Sequence, residues 1–307
     1  MCIKSITPLI RIDRDFENFD YKKAQYQVAL DSSFNTVVYS SEITNDLKLH
    51  KIPDKILNEN SLYYLRMRVL SNSEIWSDWS EVTEFYTVKK GEVLGSFETP
   101  GIEPLAISID PVGNLISTDA GTNPGTIRVH LYITESIINS FYSPGDKPSG
   151  IAVSKDEKLI SFDKETDRIY IHYKNLLEIE WSFYVPSIKP QGIAVDPNNN
   201  LISCSKGKDQ GRILIHNGIQ SEILDNFHSP GGFPIGLAVD SSGNLISADF
   251  LTNRIYVHDG ISPIITSSFS GPGIHIYGIT VDPDSGDLIV IALDKYKGNK
   301  KFFIIAF

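Results

Sequence analysis

The side chains best suited to chemistry are four histidines, His130, His172, His216 and His258, spaced 42, 44 and 42 residues apart. Evenly spaced imidazoles invite a metal reading, because histidine nitrogen is a preferred zinc ligand. Geometry opposes it. The four occupy one position of one recurring segment, seen most plainly as Arg254-Ile255-Tyr256-Val257-His258, with Ala306 taking that position in the fifth copy. Equivalent positions of successive copies are spread around a repeat array and cannot converge on one ion at bond lengths of about 2 Å. The histidines are expected to pack or hydrogen-bond between copies. Asp282-Pro283-Asp284-Ser285-Gly286-Asp287 has carboxylates at the alternating spacing of a calcium loop. The related Asp110-Pro111-Val112-Gly113 and Asp196-Pro197-Asn198-Asn199 make an ordinary turn the better account. No metal and no cofactor is expected.

The chain has no His-Glu-x-x-His, no Gly-x-Ser-x-Gly, no Gly-rich phosphate loop and no Cys-x-x-Cys. A non-enzymatic role is therefore expected. What varies between copies is more informative. Directly after a repeated Phe stand Glu98, Tyr142, Tyr184, His228 and Ser270, and before a repeated first strand stand Glu103, Lys147, Lys189, Phe233 and His275. With Tyr277 and with Tyr296 of Lys295-Tyr296-Lys297-Gly298, these loop residues are the candidate binding surface. Loops on a rigid scaffold carry function, and aromatic groups with polar tips suit sugar or protein contacts. Unconstrained drift of loop residues is the competing explanation.

The elements that position these loops follow from the period. Phe97, Phe141, Phe183, Phe227 and Phe269 recur at 44, 42, 44 and 42 residues, as do Pro100, Pro144, Pro186, Pro230 and Pro272. Each copy reads as four short strands. In the fourth these are Gly236–Asp240, Leu245–Ala248, Arg254–His258 and Ile264–Phe269, separated by Gly- and Asn-bearing turns. Four-stranded units of about 40 to 45 residues are propeller blades, whose two apolar faces are covered only by stacking on neighbours. The wording Gly-Ile-Ala-Val-Asp, Gly-Asn and Asn253-Arg254-Ile255 resembles NHL-type propeller repeats over residues 92–307. The five copies predict five blades of four strands. The last copy ends without a fourth strand at Phe307, and Glu92–Phe97 supplies an orphan one, so the strand around 92–97 is expected to close the last blade.

Residues 1–88 read differently, with 89–91 as linker. Strand-like runs at Tyr26–Leu30, Thr36–Tyr39 and Leu62–Leu70 suit a β-sandwich. In the last, Tyr63, Leu65, Met67 and Val69 alternate with Tyr64, Arg66 and Arg68, giving one apolar and one cationic face. Leu57 six residues before Tyr63 resembles the corner-tyrosine pattern of fibronectin type III domains. Trp76-Ser77-Asp78-Trp79-Ser80 resembles the tryptophan-serine string of cytokine-receptor modules of that fold. By that resemblance Arg66 and Arg68 would interleave with Trp76 and Trp79 as a structural ladder. The same modules resemble those of tailed-phage and related virion proteins.

Bulk properties narrow the partners. Of 307 residues, 28 are Lys or Arg and 38 Asp or Glu, a net charge of −10 that disfavours nucleic acid. Cys2 and Cys204 form no disulfide framework, and no apolar run is long enough for a membrane helix. The start lacks the apolar core of a signal peptide. A complete chain would therefore stay in the cytosol or leave it by another route. The expected function is a tail- or capsid-attached decoration or receptor-binding protein of a virion. Its partners would be other virion or surface proteins, or a host glycan or receptor, and it is expected to form a symmetric oligomer. The alternatives are a cell-surface adhesion or glycan-binding protein, and a propeller lyase or hydrolase.

Overall fold

The computed structural model describes residues 9–11, 21–43, 49–53, 56–173, 178–186, 190–207 and 210–307. Every regular element among them is a β-strand. The chain forms two compact units, Met1–Glu92 with Ala306–Phe307, and Val93–Ile305.

In the first unit β1 (Leu9–Arg11) pairs with β4 (Leu49–Lys51). A four-stranded antiparallel sheet runs β3 (Val37–Ile43), β2 (Tyr21–Ala29), β5 (Leu62–Ser71), β6 (Thr83–Tyr86). The period-two alternation of β5 directs Tyr63 and Val69 into a core with Tyr26, Val28, Ile52, Leu57 and Phe85, with Leu65 and Met67 at its edge. The Tyr63 hydroxyl accepts the Asn58 amide at 2.8 Å, which fixes the turn before its own strand. On the other face Arg66 lies 4.0 Å from the ring centre of Phe34 and 4.3 Å from that of Trp79. Arg68 lies 4.5 Å from Trp79 and 4.6 Å from Trp76. The stack therefore runs Phe34, Arg66, Trp79, Arg68, Trp76. Gln27 and Gln25 accept from the two guanidinium groups at 2.7 Å and 2.8 Å. Ser80 and Ser77 hold the string on β5 by accepting the Met67 and Val69 amides.

In the second unit β7 (Val93–Glu98) precedes five sheets that share one plan. The first sheet is β8 (Pro104–Ile109), β9 (Leu115–Asp119), β10 (Thr126–His130) and β11 (Ile137–Tyr142). The second is β12 (Pro148–Val153), β13 (Leu159–Asp163), β14 (Arg168–His172) and β15 (Ile179–Tyr184). The third is β16 (Pro190–Val195), β17 (Leu201–Ser205), β18 (Arg212–His216) and β19 (Ile223–His228). The fourth is β20 (Pro234–Val239), β21 (Leu245–Asp249), β22 (Arg254–His258) and β23 (Ile265–Ser270). The fifth joins β24 (Ile276–Val281), β25 (Leu288–Leu293) and β26 (Lys300–Ile305) to β7, with Phe302 opposite Phe97.

The first strand of each sheet packs against the first strand of the next, and β24 packs against β8, so the ring closes as a β-propeller. Second strands such as β9, β13, β17 and β21 are buried along their whole length, while the outer β11 and β23 are largely exposed. The inner ring is so tight that a methyl group on Gly192 would lie 2.5 Å from the Ile235 carbonyl oxygen. On Gly278 it would lie 3.0 Å from the Leu105 oxygen. A glycine at the third position of the inner strand is there for this close approach.

His130, His172, His216 and His258 are fully buried. Their Nε2 atoms meet Ser117, Ser161, Ser203 and Ser247 Oγ at 2.8–2.9 Å. Each ring also faces a phenylalanine of the sheet before it, as Phe227 does His258 at 5.8 Å. In the fifth sheet the equivalent position is Ile305, which pairs with Val93 as His130 pairs with Ile137. The assignment of Ala306 to that position is thus corrected by one residue. Eight residues separate the paired Ala292 and Lys301, against six or four between the equivalent pairs of the other sheets, and this had hidden the register.

Candidate functional site at the loop-side mouth of the ring

Four of the five second strands end at the loop face in a residue that can cap the following loop, and in three of them it is a carboxylate. Asp119 accepts the Glu103 and Gly121 amides at 2.8 Å and 2.9 Å, and Arg128 at 3.0 Å. Burial acts to raise its pKa, but these donors outweigh it and hold the group below the usual carboxylate range. Asp163 and Asp249 accept the Lys147 and Phe233 amides in the same way, at 2.6 Å and 2.7 Å. The caps fix the backbone of the variable loop residues and aim their side chains at the mouth. Ser205 stands at the third cap position and Ala292, opposite Lys301, at the fifth.

Around this frame one aromatic and cationic cluster forms. Phe250 stacks on His275 with centroids 4.4 Å apart, lies 5.2 Å from Phe233 and meets Tyr277 edge-on at 5.4 Å. Lys206 covers Phe233 at 4.3 Å, and Lys300 covers Tyr277 at 3.6 Å. The Lys300 ammonium donates to the Pro104 carbonyl at 2.9 Å. Lys147 lies 3.7 Å from Glu103 and donates to the Ala120 carbonyl at 3.1 Å. Burial pushes the Lys300 amine down to about 8; Lys164 adds to this, while Glu103 and Asp119 oppose it. Burial, with help from Glu103, pushes the Tyr277 phenol up.

Of the expected loop residues, the structure brings Lys147, Phe233, His275 and Tyr277 together here. Tyr142, Tyr184 and His228 end the outermost strands, opposite Thr126, Arg168 and Arg212, and stand away from the mouth. Tyr296 is 91% exposed on the loop after β25. Tyr142, Tyr184 and His228 lie on the rim because the fourth strand is the outer one, and Tyr296 stands outside the aromatic cluster. Lys189 lies outside the described residues, as does Cys2. Phe250 and Lys300 were missed. Their signal was present, since Phe250 follows a cap where other copies have Ala120, Lys164 and Lys206. Lys300 fills a place held elsewhere by Gly125, Asp167, Gly211 and Asn253.

At the opposite end of the axis the inner strands open into a cavity of about 450 Å³ walled by Ile109, Val153, Val195 and Val239. The carboxylates at its rim are engaged in their own turns: Asp110 accepts the Val112 and Asn114 amides, and Asp196 those of Asn198 and Asn200. Asp282 likewise accepts the Asp284 amide and the Ser285 hydroxyl, and no metal-binding group occurs among the described residues. This cavity is therefore an apolar cup, and the convergent polar chemistry lies at the loop side.

The architecture is that of the β-propellers. A glutaminyl cyclase from Myxococcus xanthus is similar over 70% of this chain and 95% of its own, with a TM-score of 0.56 and 12% identity. A Kuenenia stuttgartiensis hydrazine synthase (TM-score 0.46, 11% identity, 80% and 92% covered) and a nidogen/laminin complex (0.46, 18%, 76% and 88%) are more distant. No family model and no curated protein matches the sequence. The expectation of a non-enzymatic chain is corrected by the cyclase: an enzyme is built on this same fold, so the fold gives no ground for excluding catalysis.

Proposed function

We propose that the chain is a recognition protein in which a fibronectin type III-like sandwich accompanies a five-bladed, NHL-like propeller. The loop-side mouth takes a partner with an apolar or ring-shaped part and an anionic group. The observation that carries this reading is the Phe233–Phe250–His275–Tyr277 cluster with Lys206 and Lys300 on its faces. Within a chain of net charge −10, lysines from three sheets gather there beside Glu103 and Asp119. Aromatic planes accept the apolar face of a sugar, and the ammonium groups attract its charge. A sandwich joined to a propeller suits a virion component, tail- or capsid-attached, that meets a host glycan or receptor. The same mouth would serve an adhesion protein of a cell surface.

The test is binding of the full chain to an array of neutral, carboxylated and sulfated glycans, beside Phe250→Ser and Lys147→Glu. The expected result is a preference for acidic glycans that falls at least about tenfold in either variant. Equal signals on neutral and acidic glycans, or binding that survives both substitutions, would overturn the reading. Flanking genes that encode neither tail nor capsid proteins would count against the virion setting.

A further inference from the structure

The fifth sheet breaks the repeat at several positions, and the breaks meet at one place. Ala292 replaces the capping carboxylate and Lys300 replaces a Gly, Asp or Asn, while Tyr277 occupies a position held by Leu105, Ser149, Gln191 and Ile235. In a repeated scaffold a cluster of such departures marks a site rather than a structural requirement. The two neighbouring lysines have opposite surroundings. Lys301 is ion-paired to Asp294 at 3.0 Å and Glu98 at 3.5 Å, and these partners hold its amine protonated more firmly than usual. Lys300 is half-buried on the Tyr277 ring, with a carbonyl as its hydrogen-bond acceptor, and like-charged Lys164 acts on it.

We propose that Lys300 is a reactive amine that condenses reversibly with an aldehyde carrying an anionic group, the aromatic cluster and neighbouring lysines holding that ligand at the mouth. The Nζ lone pair attacks the carbonyl carbon to give a carbinolamine. The carbonyl oxygen then leaves as water with the two amine hydrogens, and a C=N bond remains. No oxidant or reductant is required. A lysine is a nucleophile only when neutral, and desolvation without a paired carboxylate is how proteins achieve that near neutral pH. With an amine at about 8, roughly a tenth of Lys300 is neutral at pH 7, several hundredfold more than for an ordinary lysine at 10.5.

The inference rests on the mouth being a ligand site, and the experiment separates the two. The full chain is incubated with pyridoxal 5′-phosphate, an aromatic aldehyde with an anionic group, and trapped with borohydride, and the modified lysines are located by mass spectrometry. Binding of the corresponding alcohol, pyridoxine 5′-phosphate, is measured by calorimetry. The expected result is labelling of Lys300 at least tenfold above Lys301, Lys295 and Lys297, with a pH midpoint near 8. In Lys300→Arg the label should vanish while the alcohol still binds. Alcohol binding with label spread evenly over the lysines, or a midpoint near 10, overturns the amine and leaves the site. Neither binding nor selective labelling overturns both.

Discussion

Lowering the pH should unfold the propeller through its buried histidines well before its carboxylates titrate. His130, His216 and His258 each keep their pKa below the ordinary value because burial disfavours the imidazolium, only partly offset by a carbonyl on Nδ1. Those carbonyls are Thr134, Gln220 and Ser262, at 2.9, 2.7 and 2.6 Å. A neutral ring donates from Nδ1 and accepts the serine hydroxyl at Nε2. A charged ring must donate from both, so the serine has to turn and the charge sits against phenylalanine. The unfolded chain takes up these protons near pH 6.5 and the folded chain only at lower pH. Between those values the unfolded state binds more protons, so stability falls as the pH falls. From pH 7.5 to 5.5 each histidine costs at most about 1.4 kcal/mol, hence about 4 kcal/mol for three, a large part of an ordinary domain's 5–15. The depressed carboxylates, Asp119 and Asp294, act in a separate window: their stabilisation is present above pH 3.9 or so and is lost below it. Urea unfolding followed by circular dichroism at half-unit pH steps gives the slope. His258→Gln should lower stability at pH 7.5 by about 1–3 kcal/mol, because Ser247 loses its partner. It should also reduce the acid slope by about a third. Stability that stays flat between pH 7.5 and 5.5, or a slope that His258→Gln leaves intact, would refute the reasoning.

Two further outcomes follow from packing. Gly192→Ala places a methyl 2.5 Å from the Ile235 carbonyl oxygen and should cost about 1–3 kcal/mol or more, read as a lowered urea midpoint; an unchanged midpoint would show that the inner strands separate easily. Arg66→Lys removes a planar group from between Phe34 and Trp79, along with its paired donors to Gln27, and should cost about 1–2 kcal/mol in tryptophan-monitored unfolding in a Trp181→Phe background, without altering ligand binding.

The sheets were legible in the sequence because a period of 42 to 44 residues places similar turn and strand residues at the same point of successive copies. Pro-x-Gly marks the inner strand and Arg-Ile-x-x-His the third in the second to fourth copies, and Leu-Ile-Ser marks the buried second strand in the first four. The ladder on β5 was legible because alternation in a strand leaves no choice of face for Arg66 and Arg68 once Tyr63 and Val69 are buried. The site was only half legible, for a reason inherent in reading copies one at a time. Variability in a loop says that a position is free of the scaffold, and Tyr142 and Lys147 are equally free. Which of them faces the axis depends on which strand each loop leaves, and the fourth strand leaves from the rim.

Phe250 and Lys300 are less visible still. Phe250 sits in the loop directly after a cap, and Lys300 replaces a Gly, Asp or Asn at a place that is fixed only when the register of β25 and β26 is known. The longer connection between Ala292 and Lys301 ends at Lys300, which lies beside the Pro104 carbonyl and over Tyr277. That longer connection thus carries the amine that burial depresses. If the extra length only repaired the closure by β7, removing two residues from the Asp294–Asn299 loop should leave Lys300 no more reactive than Lys301 before and after. If it positions the amine, shortening should abolish the selectivity while the ring stays closed.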